Sequence, residues 1–178
     1  MTDLVVRDAT TADAAACAAL YAPYVRSTPA SFETDPPAVD EMARRIAAAV
    51  DAHAWFVAER DGAIPGYAYA TAYKVRPAYR WTCETSVYVD GEAQGGGVGR
   101  ALYEVLLDRL AERGFRTAVA GMTLPNPASA ALHAALGFTS CGVLPRVGWK
   151  AGRWHDVALL QRPLGDAPYD GSAPPEPR

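Results

Sequence analysis

A single acidic side chain lies inside an otherwise uncharged, extended segment of the chain. Glu84 is the only charged residue in TCETSVYV, residues 82–89. A carboxylate in such a segment is costly to bury unless it is paired or reaches solvent in a cleft, and partial desolvation raises its pKa. Glu84 is therefore a candidate general base. The alternatives are a glutamate on an exposed sheet face and one paired with Arg76 or Arg80.

A glycine-rich turn, QGGGVGR at residues 94–100, follows that segment. The turn lacks the lysine of a nucleoside triphosphate loop and the glycine spacing of a dinucleotide fingerprint. A strand, a glycine turn and a helix N-terminus together bind phosphate groups through backbone N–H donors and the helix dipole. Arg100 adds a positive charge in the first helical turn. Because three consecutive glycines cost stability if they only make a tight turn, the pattern favours a phosphate site.

Two further polar residues share one face of a later helix. In LPNPASAALHAALGF, Asn126 is a good N-cap, Pro127 suits the first helical position and Gly137 ends the helix. As a cap, Asn126 contributes about 1 kcal/mol. His133 lies seven residues after Asn126, so two helical turns return it to the same face. Its imidazole could donate a proton near neutral pH, and a purely structural histidine fits the pattern equally well.

Strands and helices alternate along the chain and must position these residues. The patterns predict strands at residues 4–7, 55–59, 66–73, 82–89, 115–124, 138–144 and 155–161, and helices at residues 13–25, 40–50, 99–113 and 126–137. Regular alternation puts four residues on one face of the strand at 82–89: Thr82, Glu84, Ser86 and Tyr88. An early hairpin around Asp61-Gly62 requires antiparallel neighbours, so the sequence predicts an α/β domain with a mixed sheet.

The size and composition of the chain limit its architecture and partners. With 178 residues, half of them hydrophobic, the chain fits one domain, predicted at residues 1–164, and the proline-rich residues 165–178 are predicted to be disordered. A net charge of -3 without a run of lysine or arginine argues against nucleic acid and anionic membranes as partners. No apolar stretch approaches the roughly 20 residues of a membrane span, and the N-terminus lacks signal-peptide features, so a cytoplasmic location is expected.

The cysteines predict no chemistry. Cys17, Cys83 and Cys141 are widely spaced, without a CxxC pair and without paired histidines in metal spacing. They are interpreted as small buried hydrophobic residues, and no metal is expected.

Together these motifs resemble a known family. QGGGVG, between SVYV and an amphipathic helix, resembles the acetyl-CoA pyrophosphate loop of the GNAT superfamily of N-acetyltransferases, and LPNPASAALHAALGF resembles the superfamily's later strand-to-helix segment. With SFETDP, YKVRPAYRWTCETSVYV and VGWKAGRWHDV also present, residues 4–164 are similar to the phosphinothricin and methionine sulfoximine N-acetyltransferases. The resemblance implies a GNAT-type three-layer fold, with a mixed central β-sheet flanked by helices.

The resemblance also implies a reaction. The expected activity is transfer of the acetyl group of acetyl-CoA to the α-amine of an amino acid or analogue, such as phosphinothricin, methionine sulfoximine or methionine sulfone, by direct attack. Glu84 is the expected general base, acting through water, and His133 stands where many GNAT enzymes carry a tyrosine as the acid. The residues expected to bind acetyl-CoA are Val87, Tyr88, Val89, Gly95, Gly96, Gly97, Val98, Gly99, Arg100, Asn126 and Ser129.

Substrate binding and assembly are likewise implied by the resemblance. The expected substrate-binding residues are Phe32, Lys74, Val75, Arg76, Tyr79 and Trp81, of which Arg76 is expected to bind the carboxylate. Further candidates are Glu33, Lys150 and Trp154. A homodimer and resistance to phosphinothricin-type herbicides are also expected. Two alternatives stay open: an acetyltransferase for another small amine or a peptide N-terminus, and a non-catalytic acyl-CoA-binding sensor that needs neither a base nor a substrate cation.

Overall fold

The computed structural model describes residues 3–165, 170–172 and 174–178. The strands and helices follow in the order β1 (Val5–Asp8), α1 (Ala14–Ser27), α2 (Val39–Ala52), β2 (Ala54–Arg60), β3 (Ala63–Ala72), β4 (Thr82–Val89), α3 (Val98–Glu112), β5 (Thr117–Thr123), α4 (Pro127–Ala135), β6 (Thr139–Lys150) and β7 (Arg153–Pro163). Short 3-10 turns lie at Thr11–Asp13, Pro77–Tyr79 and Gly91–Ala93.

The strands form one seven-stranded sheet in the order β1-β2-β3-β4-β5-β7-β6. Neighbouring strands are antiparallel except for β4 and β5, which run parallel. A parallel pair needs a long crossover connection, and the glycine turn with α3 provides it. The Asp61-Gly62 turn joins β2 to β3 as predicted, with φ angles of 53° and 76°.

Helices cover both faces of the sheet. On one face, Tyr21 of α1 and Ile46 of α2 pack in a cluster with Tyr67 of β3. On the other face, Leu102 and Leu106 of α3 belong to a second cluster. The predicted three-layer α/β fold with a mixed central sheet is therefore confirmed.

Strand β4 alternates between these two layers as predicted. Tyr88 packs against the α1 and α2 cluster, whereas Val87 and Val89 pack against the α3 cluster. Glu84 lies an even number of residues from Tyr88, so its side chain points to the α1 and α2 side of the sheet. The two sides of β4 can therefore meet different ligand groups.

The C-terminal hairpin is longer than predicted. β6 extends to residue 150, whereas the sequence pattern predicted an end at residue 144. Pro145 interrupts the alternation, and a register shift in the β6–β7 pairing absorbs the interruption. In this bulge Arg146 has a φ of 52°, and its N–H donates to Asp156 Oδ1 at 2.7 Å.

Residues 174–178, at the end of the predicted tail, make defined contacts with the rest of the domain. The Glu176 carboxylate accepts hydrogen bonds of 2.6 and 2.7 Å from Arg80, and the Pro175 carbonyl accepts one of 2.8 Å from Trp81 Nε1. Residues 174–178 are thereby attached to the loop before β4. Residues 166–169 and 173 of the predicted tail lie outside the described residues.

The cysteines differ in their surroundings. Cys17 and Cys83 are buried as predicted, and burial raises the pKa of each thiol to about 12. Cys141 is exposed, so its interpretation as a buried residue is wrong; it lies on the last strand of the sheet, which has a partner on one side only. Within the described ranges no three His, Cys, Asp or Glu side chains are grouped so that they could hold a metal ion. None of the helices described there is long and apolar enough to cross a membrane.

Candidate active site

The sheet splits between its two parallel strands. β4 and β5 pair over three residues each, and the last pair joins Glu84 to Val119. Beyond that pair β4 continues to Val89 and β5 to Thr123, but these two strands, all of whose residues are described, no longer pair with each other. Backbone N–H and C=O groups on the open edges can therefore bind a ligand, apart from the Val89 and Val119 carbonyls, which accept hydrogen bonds from Tyr24 and Thr85.

A cavity of about 470 Å³ occupies this split. Its size is typical of small-molecule sites, which span roughly 300–1,000 Å³. The residues expected to bind acetyl-CoA line it, with the exception of Gly96: Val87, Tyr88, Val89, Gly95, Gly97, Val98, Gly99, Arg100, Asn126 and Ser129. His133 also lines the cavity. The structure thus brings three separated sequence motifs to one place.

The glycine turn forms the end of the cavity at the start of α3. Gly95 and Gly97 have φ angles of 77° and 81°, a region that residues with side chains rarely adopt. Gly97 is the N-cap residue of α3, and no side chain caps this helix. The first backbone N–H groups of α3 therefore remain available to an anionic group.

The first turn of α3 lines the cavity with Val98, Gly99 and Arg100, of which only Arg100 has a charged side chain. The Val98 side chain is buried, and its Cγ1 would stand 2.9 Å from a Cβ at Gly66. A Cβ at Gly99 would stand 3.3 Å from Leu132 Cδ2, so glycine allows α3 and α4 to approach closely. Arg100 is exposed, and its Nε donates to Glu104 Oε1 at 2.8 Å.

Asn126 caps α4 as predicted. Its Oδ1 accepts a hydrogen bond of 3.1 Å from the Ser129 N–H. Because the cap uses only the oxygen of the amide, the Nδ2 group at the cavity wall can still donate to a ligand.

His133 is buried and hydrogen-bonded through both ring nitrogens. Nδ1 lies 2.8 Å from the Ser129 carbonyl oxygen, which can only accept, so Nδ1 carries the proton. Nε2 is then the acceptor for the Tyr103 hydroxyl at 3.2 Å. Burial lowers the pKa of His133, which disfavours a second proton. This geometry argues against His133 as the direct proton donor.

Glu84 lies at the point where the split begins. Its side chain keeps access to solvent, and its Oε1 is 3.8 Å from where a Cβ at Gly121 would stand. Desolvation by the surrounding strands raises the pKa of Glu84 above its ordinary value. The alternative of a salt bridge with Arg80 does not occur, because Arg80 pairs with Glu176.

The structure does not bring the loop before β4 into this cavity. Lys74, Val75, Arg76 and Tyr79 line a separate recess of about 360 Å³, together with Glu176 of the tail. The reason is geometric, since the loop precedes β4 whereas the cavity follows the strand toward its end. Trp81 is also turned away, because it contacts the tail and stacks with Arg80 at 3.7 Å.

The other substrate candidates lie near the C-terminal hairpin. The Phe32 ring lies against Gly148, and Lys150 Nζ donates to the Ser31 carbonyl at 2.5 Å. Glu33 is held by Arg45, which lowers the pKa of that carboxyl. Trp154 is exposed.

Several cavity residues were not anticipated from the sequence. Tyr24 of α1 donates its hydroxyl to the Val89 carbonyl and accepts a hydrogen bond of 3.1 Å from Gln94. Tyr103 of α3 and Gly121 of β5 also line the cavity. Each of them belongs to an ordinary helix or strand pattern, so the sequence carried no local signal for them.

Comparisons with known proteins identify the family of the chain. The acetyltransferase (GNAT) domain family matches residues 6–159. The chain is 49% identical over 162 residues to the phosphinothricin N-acetyltransferase of Alcaligenes faecalis, covering 90% of this chain and 81% of the relative. It is 35% identical over 160 residues to the L-methionine sulfoximine/L-methionine sulfone acetyltransferase of Pseudomonas paraeruginosa, covering 88% and 92%.

A solved structure has the same fold and contains a bound ligand, AcCoA. The GNAT superfamily phosphinothricin acetyltransferase from Sinorhizobium meliloti, in complex with AcCoA, matches with a TM-score of 0.91 and 40% identity over 99% of this chain and 95% of that chain. The family match spans most of the sequence, and the relatives share a large fraction of its residues. The chain belongs to the GNAT family of acetyltransferases.

Proposed function

We propose that the protein moves the acetyl group of acetyl-CoA to the α-amine of an amino acid or analogue of the phosphinothricin, methionine sulfoximine or methionine sulfone type. The observation that carries this proposal is the position of Glu84. Its carboxylate stands where β4 and β5 separate, beside a cavity lined by the residues expected to bind acetyl-CoA. The names of the relatives support the substrate class.

The cavity supports binding of acetyl-CoA along its length. The uncapped N-terminus of α3 and Arg100 would bind the phosphates. The open edge of β4 at Val87 and Val89 would hydrogen-bond the amide groups of the pantetheine arm, with Asn126 donating from α4. Acetyl-CoA supplies the activated acetyl group when bound. Most of these contacts use backbone atoms, which explains why small residues suffice at these positions.

Glu84 is assigned the removal of a proton from the substrate amine. An α-ammonium group must lose a proton before its nitrogen can attack a thioester. The raised pKa of Glu84 makes its carboxylate a stronger base than an ordinary exposed glutamate. Glu84 stands beside the cavity rather than in its lining, and a bridging water would connect the two.

Tyr103 and His133 are assigned to the departing sulfur. The Tyr103 hydroxyl lies between His133 Nε2 at 3.2 Å and Thr85 Oγ1 at 3.4 Å. Burial raises the pKa of Tyr103, so the hydroxyl stays protonated. It can donate a hydrogen bond to a thiolate when its single O–H turns away from His133 Nε2. His133 is proposed to hold that hydroxyl in place and thus to act through Tyr103.

Arg76 is proposed to bind the substrate carboxylate. It lines the separate recess before β4 together with Thr82, which lies two residues before Glu84 on the same face of that strand. The neighbouring cations are engaged: Lys74 Nζ stands 5.1 Å from the Tyr73 ring centroid, and Arg80 is paired with the tail. The Arg76 side chain makes no hydrogen bond or ion pair with the described part of the chain, so its guanidinium fork is available for a carboxylate.

The alternatives differ in what they require of these residues. A polyamine acceptor needs an acidic lining, whereas the loop before β4 is cationic. A sensor that only binds acyl-CoA needs the cavity but has no use for a partly desolvated carboxylate beside it. The cationic loop therefore favours an amino-acid acceptor over a polyamine, and the position of Glu84 favours an acetyltransferase over a sensor.

A panel of amines tests the substrate class. Release of free CoA from acetyl-CoA is measured with phosphinothricin, methionine sulfoximine, methionine sulfone, the common amino acids, a polyamine and the decarboxylated amine of methionine. We expect turnover of α-amino acids or their analogues, and roughly 10- to 100-fold lower kcat/KM for the decarboxylated amine because it lacks the group that Arg76 would bind. Turnover of the polyamine alone would contradict the proposal.

We further propose that the protein is a homodimer. Five large apolar side chains of the β6–β7 hairpin are exposed: Val143, Leu144, Val147, Trp149 and Trp154. Exposed apolar surface of this kind is typical of protein interfaces. Light scattering is expected to give twice the chain mass of 18.9 kDa, and Trp149→Glu with Trp154→Glu is expected to give the monomer. A monomeric wild type would contradict the dimer.

The proposed reaction has two cellular consequences. Acetylation removes the positive charge of the phosphinothricin amine, and we propose that the protein thereby confers resistance to that herbicide. Because the reaction consumes acetyl-CoA, we propose that it takes place in the cytoplasm.

A further inference from the structure

Phe32 lies at the end of a loop that begins at the cavity. The Pro29 carbonyl accepts a hydrogen bond of 2.8 Å from Thr123 Oγ1 of β5, and Ala30 lines the cavity. Phe32 follows two residues later. Its side chain is 41% exposed, so the ring is not part of the hydrophobic core.

Gly148 of β6 provides the surface on which this ring rests. A Cβ at Gly148 would stand 2.3 Å from two carbons of the Phe32 ring, far inside van der Waals contact. The φ angle of Gly148 is not in the positive region, so the backbone does not require glycine. The close approach of the ring is the reason that no side chain fits at this position.

The same hairpin fixes the loop on either side of the ring. Lys150 Nζ donates to the Ser31 carbonyl at 2.5 Å. His155 pairs with Gly148 across the hairpin, and its ring centroid is 6.1 Å from that of Phe32. The His155 Nε2 in turn lies 2.9 Å from the Lys150 carbonyl, so these hairpin residues are connected to one another.

The helical layer holds the loop from the opposite direction. The Tyr21 hydroxyl lies 2.6 Å from Ser31 Oγ and donates to Glu33 Oε1 at 3.0 Å. Arg45 of α2 donates to both oxygens of Glu33, at 2.7 and 3.1 Å. The residues before and after Phe32 are therefore fixed, and the position of its ring depends on the space at Gly148.

Residues of β7 connect the Phe32 region to Glu84, the proposed general base. Val157 follows His155 by two residues, so both side chains lie on the same face of β7. A Cβ at Gly121 would stand 3.7 Å from Val157 Cγ1 and 3.8 Å from Glu84 Oε1. One face of the sheet therefore carries a row of neighbouring side chains that leads from His155, beside the Phe32 ring, through Val157 to Glu84.

We infer that Gly148 and Lys150 are positioning residues, which hold the Phe32 ring as one wall of the pocket for the substrate side chain. Gly148 thereby determines which amino acids the pocket accepts. The inference rests on the proposed function. A partly exposed ring that is held on several sides can contact a ligand without losing further freedom, which is how preorganised sites gain selectivity.

The experiment is a double-mutant cycle between Gly148→Ala and Phe32→Ala. In the wild-type background Gly148→Ala is expected to raise KM for phosphinothricin and methionine sulfoximine about tenfold, with little change in kcat or in KM for acetyl-CoA. For L-alanine, whose side chain is too short to reach the ring, the change is expected to be less than about twofold. In the Phe32→Ala background Gly148→Ala is expected to have no effect on any of these constants.

Thermal unfolding gives a readout that does not depend on activity. The added methyl group is expected to lower Tm by about 3–10 °C when Phe32 is present and to leave it unchanged when Phe32 is replaced. Gly91→Ala is the matched control, because Gly91 also lacks a positive φ and has no atom within 4 Å of the place where a Cβ would stand. It is expected to change neither Tm nor KM.

The outcomes separate this inference from the proposed function. A wild type that acetylates no amine in the panel overturns the proposed function and this inference with it. If the wild type is active and Gly148→Ala leaves the ratio of kcat/KM for phosphinothricin to kcat/KM for L-alanine unchanged, the inference alone is overturned. Equal effects of Gly148→Ala with and without Phe32 would also overturn it, because the ring would then not transmit the change.

Discussion

Glu84→Gln is expected to lower kcat at pH 7 by about 100- to 1,000-fold, because it removes the proposed general base while keeping the size of the side chain. The wild-type rate is expected to fall as the pH falls through the raised pKa of Glu84, since protonation removes the base. In the variant that acidic limb disappears, and the rate follows only the fraction of free amine. The deficit is therefore expected to shrink at pH 9–10.

Steady-state kinetics between pH 5 and pH 10, with saturating acetyl-CoA, measure this effect. Unchanged acetyl-CoA affinity is the control that the cavity is intact. Tyr103→Phe serves as a comparison, because loss of its hydroxyl is expected to lower kcat about tenfold at every pH without removing the acidic limb. If Glu84→Gln kept the wild-type rate and pH profile, Glu84 would have no part in the reaction.

Gly97→Val is expected to weaken acetyl-CoA binding by about 10- to 100-fold. Gly97 has a φ of 81° at the N-cap of α3, and a side chain in the left-handed region costs about 1–2 kcal/mol. A β-branched residue would also crowd the first N–H groups of the helix, which are proposed to bind the phosphates. Isothermal titration with acetyl-CoA measures the loss directly.

Gly62→Val is the matched control for backbone strain. Gly62 has a φ of 76° and open space around it, and it lies in the β2–β3 turn rather than in the cavity. Its replacement is expected to lower Tm but to leave the Kd for acetyl-CoA unchanged. Equal acetyl-CoA affinity in Gly97→Val and wild type would mean that the glycine turn does not bind the cofactor.

Local motifs made much of the lining of the candidate cofactor cavity predictable from the sequence. The glycine turn, the start of α3 and the Asn126 cap each have a physical signature within a few residues. The alternation of β4 likewise predicted which residues share a face of the sheet with Glu84. These features depend on short-range geometry, and the structure places them in one cavity as expected, apart from Gly96.

Long-range packing made the rest unpredictable. The separation of β4 from β5 after Glu84 follows from strands that are distant in sequence, and no local pattern indicates it. Tyr103 fits the pattern of an ordinary apolar position of α3, yet its hydroxyl meets His133 from another helix. The loop before β4 was expected at the amino-acid site; it lines a recess separate from the cavity, and its contacts with the end of the chain had no local signal in the sequence.

The most direct test of the account is identification of the product made from acetyl-CoA and phosphinothricin. With acetyl-CoA labelled with carbon-13 in the acetyl group, nuclear magnetic resonance is expected to show the labelled acetyl group bonded to the α-nitrogen of phosphinothricin as an amide. The amount of this amide is expected to equal the amount of CoA released. The Glu84→Gln variant is expected to form that product far more slowly at pH 7. Tight binding of acetyl-CoA by the wild type, without any labelled amide from phosphinothricin or from another α-amino acid, would contradict the account.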